Sequence, residues 1–385
     1  AGSVRELAQR VEAGMPRVMG ERITGVVPLT PIQEWFFREN EHDLHHFNQA
    51  VLLTCSVRLE EPRLRQVFGK LVEQHDMLRA TFRQTSVGWC QQVQESAPLC
   101  VDVVDLRQVP DPTGAMEAHA SQTQTSFDLP DGPLYRAVLY RLEDGDRLLI
   151  VIHHLLCDGI TWRILLEDLE SGYRQSSKSL PIELAERTAS YRQWAQGLQR
   201  FGESAQIRQH IDFWAAMDDM SPVEIPLDSD STGVDNVYSQ TETAEVSLSE
   251  EETHAFLSQP QRVYRAEADV VLLAALGKAL QSWHGGDATR ILLESHGREP
   301  IEDQDLARTV GWFTSMYPFV LRADEADPRQ AIRTTKEDLH RVPQHGISYG
   351  VARYLTSSPL APPRHPPRLV FNYLGQFDDS SGSDR

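Results

Sequence analysis

Two adjacent imidazoles and a carboxylate occupy one short run, His153-His154-Leu155-Leu156-Cys157-Asp158-Gly159. Histidine is the side chain whose ordinary pKa lies nearest neutral pH, so the pair suits proton transfer. A second run, Glu294-Ser295-His296-Gly297-Arg298-Glu299, puts a carboxylate at the end of an apolar stretch. Burial and charged neighbours can move such a carboxyl toward the range where it takes and returns protons. The same residues also fit a structural ion pair among Glu294, Arg298 and Glu299, with His296 as a hydrogen-bonded loop residue. Asp158, beside a glycine and just ahead of a helix, suits a cap or an ion pair, and Arg79 is the expected partner. Cys157 next to His154 invites comparison with a thiolate nucleophile. Nothing in the sequence activates the thiol, and free buried cysteine is common, so that chemistry is set aside.

The elements that must hold these groups are legible. Residues 147–152 form a short apolar run after an Asp144-Gly145-Asp146 turn and read as a buried strand. Trp162, Leu165, Leu166, Leu169 and Tyr173 then recur at helical spacing, so the histidines and Asp158 fall on a strand-to-helix loop. Upstream, Val4, Leu7, Ala8 and Val11 share one face of a first helix, and Thr30-Pro31 opens a second. Leu64, Val67, Phe68, Leu71 and Val72 mark an amphipathic helix; strands follow to Ile152, interrupted by a helix near 113–125. Residues 174–181 read as a surface connection, and 228–235, rich in Asp, Ser and Gly, as a loop. A lobe boundary is expected near 180–205.

Beyond it, 270–283 is an apolar helix stopped by Gly285-Gly286. Residues 290–293, 319–321 and 369–374 read as strands, the first delivering Glu294 into its loop. Trp312, Phe313, Tyr317 and Phe319 fit a core, yet the intervening Gly311, Pro318 and small hydroxyl residues suggest an irregular segment beside a channel. In 371–378, Asn372 and Tyr373 point to opposite faces of a strand, as a structural pair or as site residues.

The formal charge of −19 argues against bulk binding to nucleic acid or to anionic membranes. Cys55, Cys90, Cys100 and Cys157 form no CxxC pair, and no His/Cys cluster has zinc-finger spacing, so neither a disulfide framework nor a structural metal is expected. No apolar signal core and no stretch of about 18 apolar residues is present, which makes a reduced cytoplasmic protein the default expectation.

Taken in order along nearly the whole chain, these blocks resemble the epimerization domains of nonribosomal peptide synthetases, within the condensation-domain superfamily. The resemblance is carried by Pro31-Ile32-Gln33-x-Trp35-Phe36 and by HHxxxDG continuing into Thr161-Trp162-Arg163-Ile164-Leu165. It is carried further by 269–277, the Glu294 block, 308–318, Pro343-x-x-Gly346-x-x-Tyr349-Gly350 and 371–378. HHxxxDG alone indicates the superfamily; the Trp162-Arg163-Ile164-Leu165 continuation, the glutamate block and Asn372-Tyr373-Leu374-Gly375-Gln376-Phe377-Asp378 together are similar to the epimerizing branch. Two departures stand out. Ser295 replaces the family's usual glycine, and the chain stops soon after Asp378, where family members continue into a last strand and helix.

The resemblance implies an α/β (α+β) fold of two chloramphenicol-acetyltransferase-like lobes in a V-shaped pseudo-dimer with a central channel. Residues 1–15 would be the tail helix of an upstream carrier domain and its linker, 16–190 the N-terminal lobe, and 191–385 the C-terminal lobe, cut short at its end. The substrate implied is an aminoacyl or peptidyl thioester on the phosphopantetheine arm of a carrier domain, with no cofactor or metal of the domain's own. His154 and Glu294 would exchange the Cα proton. His153, Asn372 and Tyr373 would line the channel and stabilise the enolate, while Asp158, Gly159, Arg79 and Trp162 support the site. The upstream carrier domain is the expected partner, and a downstream condensation domain a further one. The alternatives are a peptide-bond-forming condensation domain and a catalytically silent carrier-docking module.

Overall fold

The computed structural model describes residues 20–40, 42–220, 222–226, 240–299, 301–323 and 327–375. The helix expected at 4–11, the loop at 228–235 and the end of the 371–378 block lie outside the described residues. Contacts divide the chain into two units. The first holds the described residues up to Glu203 and those of Pro300–Thr314; the second holds Ser204–Glu299 and the described residues from Ser315 onward.

The first unit runs β1 (Gly25–Val27), α1 (Pro31–Glu39), β2 (Asn48–Cys55), α2 (Glu61–Gln74), β3 (Ala80–Thr85), β4 (Gly88–Val93), β5 (Val101–Asp105), α3 (Pro112–Gln124), β6 (Tyr135–Leu142), β7 (Gly145–His153), α4 (Gly159–Ser177) and α5 (Tyr191–Glu203). Helix α1 starts where Thr30-Pro31 predicts, with a capping box between Thr30 and Gln33. Four strands form a sheet in the order β2-β7-β6-β5, and β1-β4-β3 form a second. Strand β7 is buried from Leu148 to His153, and its register pairs His153 with Asn48 and Ile152 with Gln49. This pairing brings the start of β2 beside the histidine loop.

Helix α4 is amphipathic, with Trp162, Leu165 and Leu169 buried. It packs on α2, whose buried stripe is Leu64, Val67, Phe68, Leu71 and Val72. Each such side chain contributes roughly 1.5–3 kcal/mol on full burial. Gly172 permits the approach, because a Cβ there would sit 3.0 Å from Val67 Cγ1. The helix continues to Ser177, past the start of the connection predicted from 174. Tertiary contacts extend it: Ser176 Oγ bonds Gln66 of α2 at 3.2 Å, and the Gln175 amide bonds the backbone of Glu183 on both its atoms.

Helix α5 buries Tyr191, Trp194, Leu198 and Phe201 in the first unit, whose first stretch ends at Glu203, within the 180–205 range expected for the boundary. The residues around 309–312, expected in the second lobe, also pack here. Thr309 Oγ1 donates to Ala189 O at 2.6 Å and Tyr191 OH to Trp312 O at 2.7 Å.

The second unit runs α6 (Ala205–Asp219), α7 (Glu250–Tyr264), α8 (Ala268–His284), β8 (Ala288–Ser295), β9 (Ser315–Arg322), α9 (Pro328–Arg341), α10 (Ile347–Tyr354) and β10 (Val370–Phe371). Helix α8 ends at Gly285, whose φ of 77° is the left-handed conformation glycine favours at helix ends. The sheet order is β10-β8-β9, with β8 antiparallel to β9 and parallel to β10. Its core joins Trp214, Leu273, Ile291, Leu293 and Phe319. Strand β10 is shorter than the predicted 369–374. Among the described residues no helix is long and apolar enough to cross a membrane.

Candidate active site

Strand β7 ends at His153, and a single 3-10 turn, His154–Leu156, leads to α4. The two histidines meet opposite environments. His153 is fully buried, with Nε2 donating to Leu44 O at 2.9 Å and Nδ1 accepting the Leu155 N–H at 3.2 Å. Burial pushes its pKa down to about 3, only partly opposed by the Leu44 carbonyl. It was expected in the substrate channel; instead both ring nitrogens serve the backbone, and it acts as a brace that sets the loop.

His154 is half-buried between aromatic rings, with Phe47 at 5.4 Å and Trp312 at 4.4 Å between centroids. Its backbone N–H bonds Phe47 O at 2.7 Å. Nε2 lies 2.9 Å from the Gln49 amide nitrogen, and Nδ1 has no hydrogen-bond partner among the described residues. Burial lowers its pKa, opposed by the carbonyls of His154 and Cys157 and by the Asp158 charge. At neutral pH the ring is therefore a neutral base in apolar surroundings. Cys157 is fully buried and its thiol is pushed well up, so it holds no thiolate.

Asp158 caps α4. One carboxylate oxygen accepts the Thr161 N–H at 2.7 Å and the other the Phe313 N–H at 3.1 Å. The expected Asp158–Arg79 pair does not form. Arg79 is buried elsewhere, bonding Asp76 at 2.7 Å, Val72 O at 2.6 Å, Gln94 O at 3.1 Å and Ile23 O at 3.2 Å. A short carboxylate at a helix N-terminus satisfies nearby backbone donors first, which is the physical reason the cap prevails. Arg79 thus supports the β3 region, not the histidine loop.

The same cap fastens 311–313. Thr161 Oγ1 donates to Gly311 O at 2.8 Å and accepts from Gly311 N at 3.1 Å. Gly311, at φ 158°, leaves no room for a side chain, since a Cβ would overlap the Tyr191 ring. The segment thereby lays Trp312 on His154. Gly159 is exposed at the start of α4, and a Cβ there would meet nothing within 4 Å.

In the second unit, Glu294 stands near the end of β8, half-buried and paired with Met316 across β9. The parallel pairing of Phe371 with Leu293 brings Asn372 alongside, and the Asn372 amide donates to Glu294 Oε2 at 2.6 Å. Burial raises the carboxyl pKa, and this hydrogen bond partly opposes it. The ion-pair alternative has another centre: Glu299 meets His345 at 3.1 Å and His296 at 3.5 Å. Ser295, the residue that departs from the family pattern, donates to His345 O at 3.3 Å and ties the end of β8 to a turn with three positive φ angles, Gln344, His345 and Gly346. Tyr373 is half-buried just beyond Asn372.

Sequence reasoning singled out His154, Glu294, Asp158 and Asn372, and it missed Gln49. Its amide Oε1 accepts the Trp162 indole N–H at 2.7 Å while its nitrogen meets His154. A glutamine at the head of an apolar strand carries no local signal; only the β2–β7 register gives it meaning.

A family model described as the Condensation domain matches residues 23–385. The chain is 39% identical over 394 residues to one of the linear gramicidin synthase proteins of Brevibacillus parabrevis, covering 99% of this chain and 8% of that protein. It therefore spans less than a tenth of that relative's length. It is also 36% identical over 385 residues to tyrocidine synthase 2 of Brevibacillus parabrevis, covering 98% of this chain and 11% of that protein. Among solved structures it is similar to the epimerization domain from the third module of tyrocidine synthetase B, with a TM-score of 0.88, 36% identity, and coverage of 93% of this chain and 84% of that one. The first condensation domain of the calcium-dependent antibiotic synthetase matches with a TM-score of 0.69 at 17% identity, over 84% and 75% of the two chains, a likeness of fold alone.

Proposed function

The chain belongs to the condensation-domain family, and from that premise we propose that it epimerizes the Cα of an L-aminoacyl or peptidyl thioester within a nonribosomal peptide synthetase, giving a D/L mixture. The observation that carries this reading is Glu294. It is a half-buried carboxyl at a strand end, raised by burial and held by Asn372, the residue the parallel register sets beside it. A peptide-bond-forming domain has no evident use for a second proton carrier of this kind. The 36% identity to an epimerization domain supports the same reading.

A thioester carbonyl acidifies the proton on Cα. In the proposed reaction one base removes it, the electron pair moves into the carbonyl to give an enolate, and a proton returns to the opposite face. His154 and Glu294 are the two carriers. The one that takes the proton ends protonated, and the one that delivers ends as a base, so the reverse reaction or exchange with water restores both. Asn372 positions Glu294, and Tyr373 is the nearby donor proposed for the enolate. The substrate would hang on the phosphopantetheine arm of a carrier domain of the same synthetase, and the chemistry requires no cofactor of this domain's own. The site of action would be the cytoplasm, where carrier domains are loaded.

Chiral analysis of an L-aminoacyl thioester loaded on a carrier and incubated in heavy water tests the proposal. The expected product is a D/L mixture with deuterium at Cα. His154→Ala and Glu294→Gln should each slow that exchange by about 10²- to 10⁴-fold, the usual range for a general acid–base group. Peptide-bond formation without Cα exchange would point to a condensation domain, and neither product to a carrier-docking module.

A further inference from the structure

We propose that Gln49 is a positioning residue that holds the neutral His154 ring with its proton on Nδ1 and its lone pair on Nε2. Trp162 fixes the orientation of the amide. An indole N–H can only donate, so the Gln49 atom 2.7 Å from Trp162 Nε1 must be the amide oxygen. The amide nitrogen then faces His154 Nε2 at 2.9 Å, and it too can only donate. His154 Nε2 must accept, which leaves the proton on Nδ1. Nothing at Nδ1 decides otherwise, because that atom has no hydrogen-bond partner among the described residues. Three elements set the relay: β2 supplies Gln49, the turn after β7 supplies His154, and the first turn of α4 supplies Trp162.

The arrangement has a consequence for proton transfer. A neutral amide hydrogen bond is worth about 0.5–1.5 kcal/mol net, so it orients the lone pair without consuming it. When Nε2 gains a proton, an N–H faces the Gln49 N–H group. The amide cannot present its oxygen instead without giving up Trp162. The Nε2–H of the imidazolium is thus left facing a donor, which favours release of that proton. In the same unit, Asp158 is the charged group facing the ring; the neighbouring His153 and Cys157 are neutral, and Phe47, Trp312, Trp162 and Gln49 carry no charge.

The role in catalysis rests on the reading of His154 as a proton carrier, but the tautomer does not. The test is therefore spectroscopic: the full chain, labelled with ¹⁵N at histidine, with the His154 signals assigned by their loss in His154→Gln. Nitrogen shifts report the neutral tautomer, and a pH titration reports the apparent pKa. The wild type should show the Nδ1–H tautomer. Gln49→Glu puts an acceptor where the amide nitrogen stood, so it should convert His154 to Nε2–H and raise its pKa by roughly 1–3 pH units. Gln49→Leu should give a mixture of tautomers. An Nε2–H wild type, or Gln49 variants with wild-type tautomer and pKa, would overturn the proposal. If neither Gln49 variant folds, Trp162→Phe decides: it frees the amide to rotate, so a mixture supports the relay and an unchanged tautomer overturns it. A protein with the predicted tautomer but no Cα exchange would remove the proposed epimerase activity and leave the relay standing.

Discussion

Burial acts in opposite directions on His154 and Glu294, the two proposed proton carriers. It lowers the pKa of His154 from 6.5 and raises that of Glu294 from 4.5, moving the pair toward one another. If Glu294 is the carrier that removes the proton, it must be ionised, and activity should then fall as the pH drops through its raised pKa. The Asn372 hydrogen bond favours the ionised form. Asn372→Leu should therefore raise that pKa further and move the acid limb of the pH–rate profile to higher pH, read as Cα exchange in heavy water. A limb that moves down, or stays, would exclude Glu294 as the base. His153 makes a different prediction, about stability. Its folded pKa of about 3 lies below the 6.5 of an exposed ring, so between those values the unfolded chain binds the extra proton. Its contribution is fully present above pH 6.5 and declines as pH falls toward 3. At about 1.4 kcal/mol per pH unit the loss is on the order of 4–5 kcal/mol. Urea unfolding of His153→Asn should show a shallower decline over that window than the wild type. Parallel pH profiles would mean that His153 titrates alike in both states.

At the scale of elements, the Asp158 cap fastens two pieces of backbone at once, the start of α4 and the segment carrying Trp312. Asp158→Asn keeps one acceptor and turns the other position into a donor facing an N–H. The loss should be about 1.5–3 kcal/mol, the worth of a hydrogen bond to a charged group, with lower soluble yield. Thr161→Val removes both bonds to Gly311 and should speed amide exchange at 309–313 before global unfolding. A fully stable, inactive Asp158→Asn protein would instead assign the carboxylate a direct part in catalysis. The strand, the loop and the helix that hold this cap were all legible from apolar periodicity, as was a polar role for Asp158. Its partner was not. Choosing between Arg79 and a backbone N–H from 313 requires knowing which distant segment folds back onto α4.

At the scale of the molecule, the first unit is not one stretch of chain. Within it, Arg308 reaches Asp168 at 2.6 Å on one oxygen while His75 holds the other at 2.9 Å. Asp168 is buried, and stripping one partner from such a group can cost roughly 3–5 kcal/mol. A fragment of residues 20–203 also loses the bond from Tyr191 OH to Trp312 O and those of Thr161 Oγ1 with Gly311. It should unfold at markedly lower urea than the same fragment with 300–314 joined through a short linker. Equal midpoints would show that the returning segment contributes nothing to the unit.

The sequence by itself determined which groups can move protons and which local elements carry them. Apolar periodicity and turn residues specify strands and helices through interactions a few residues apart, and HHxxxDG and Glu294 each lie at the end of such an element. Only the tertiary structure decided which histidine is the brace and which faces the aromatic pocket. Both follow the same strand, and what separates them is the Leu44 carbonyl on one side and Gln49 on the other, each about a hundred residues away. It likewise decided that Asn372 meets Glu294, because the register of parallel β8 and β10 is set by core packing over seventy-eight positions of chain. Hydrogen bonds and burial that close over such separations leave no periodic trace in the residues that make them.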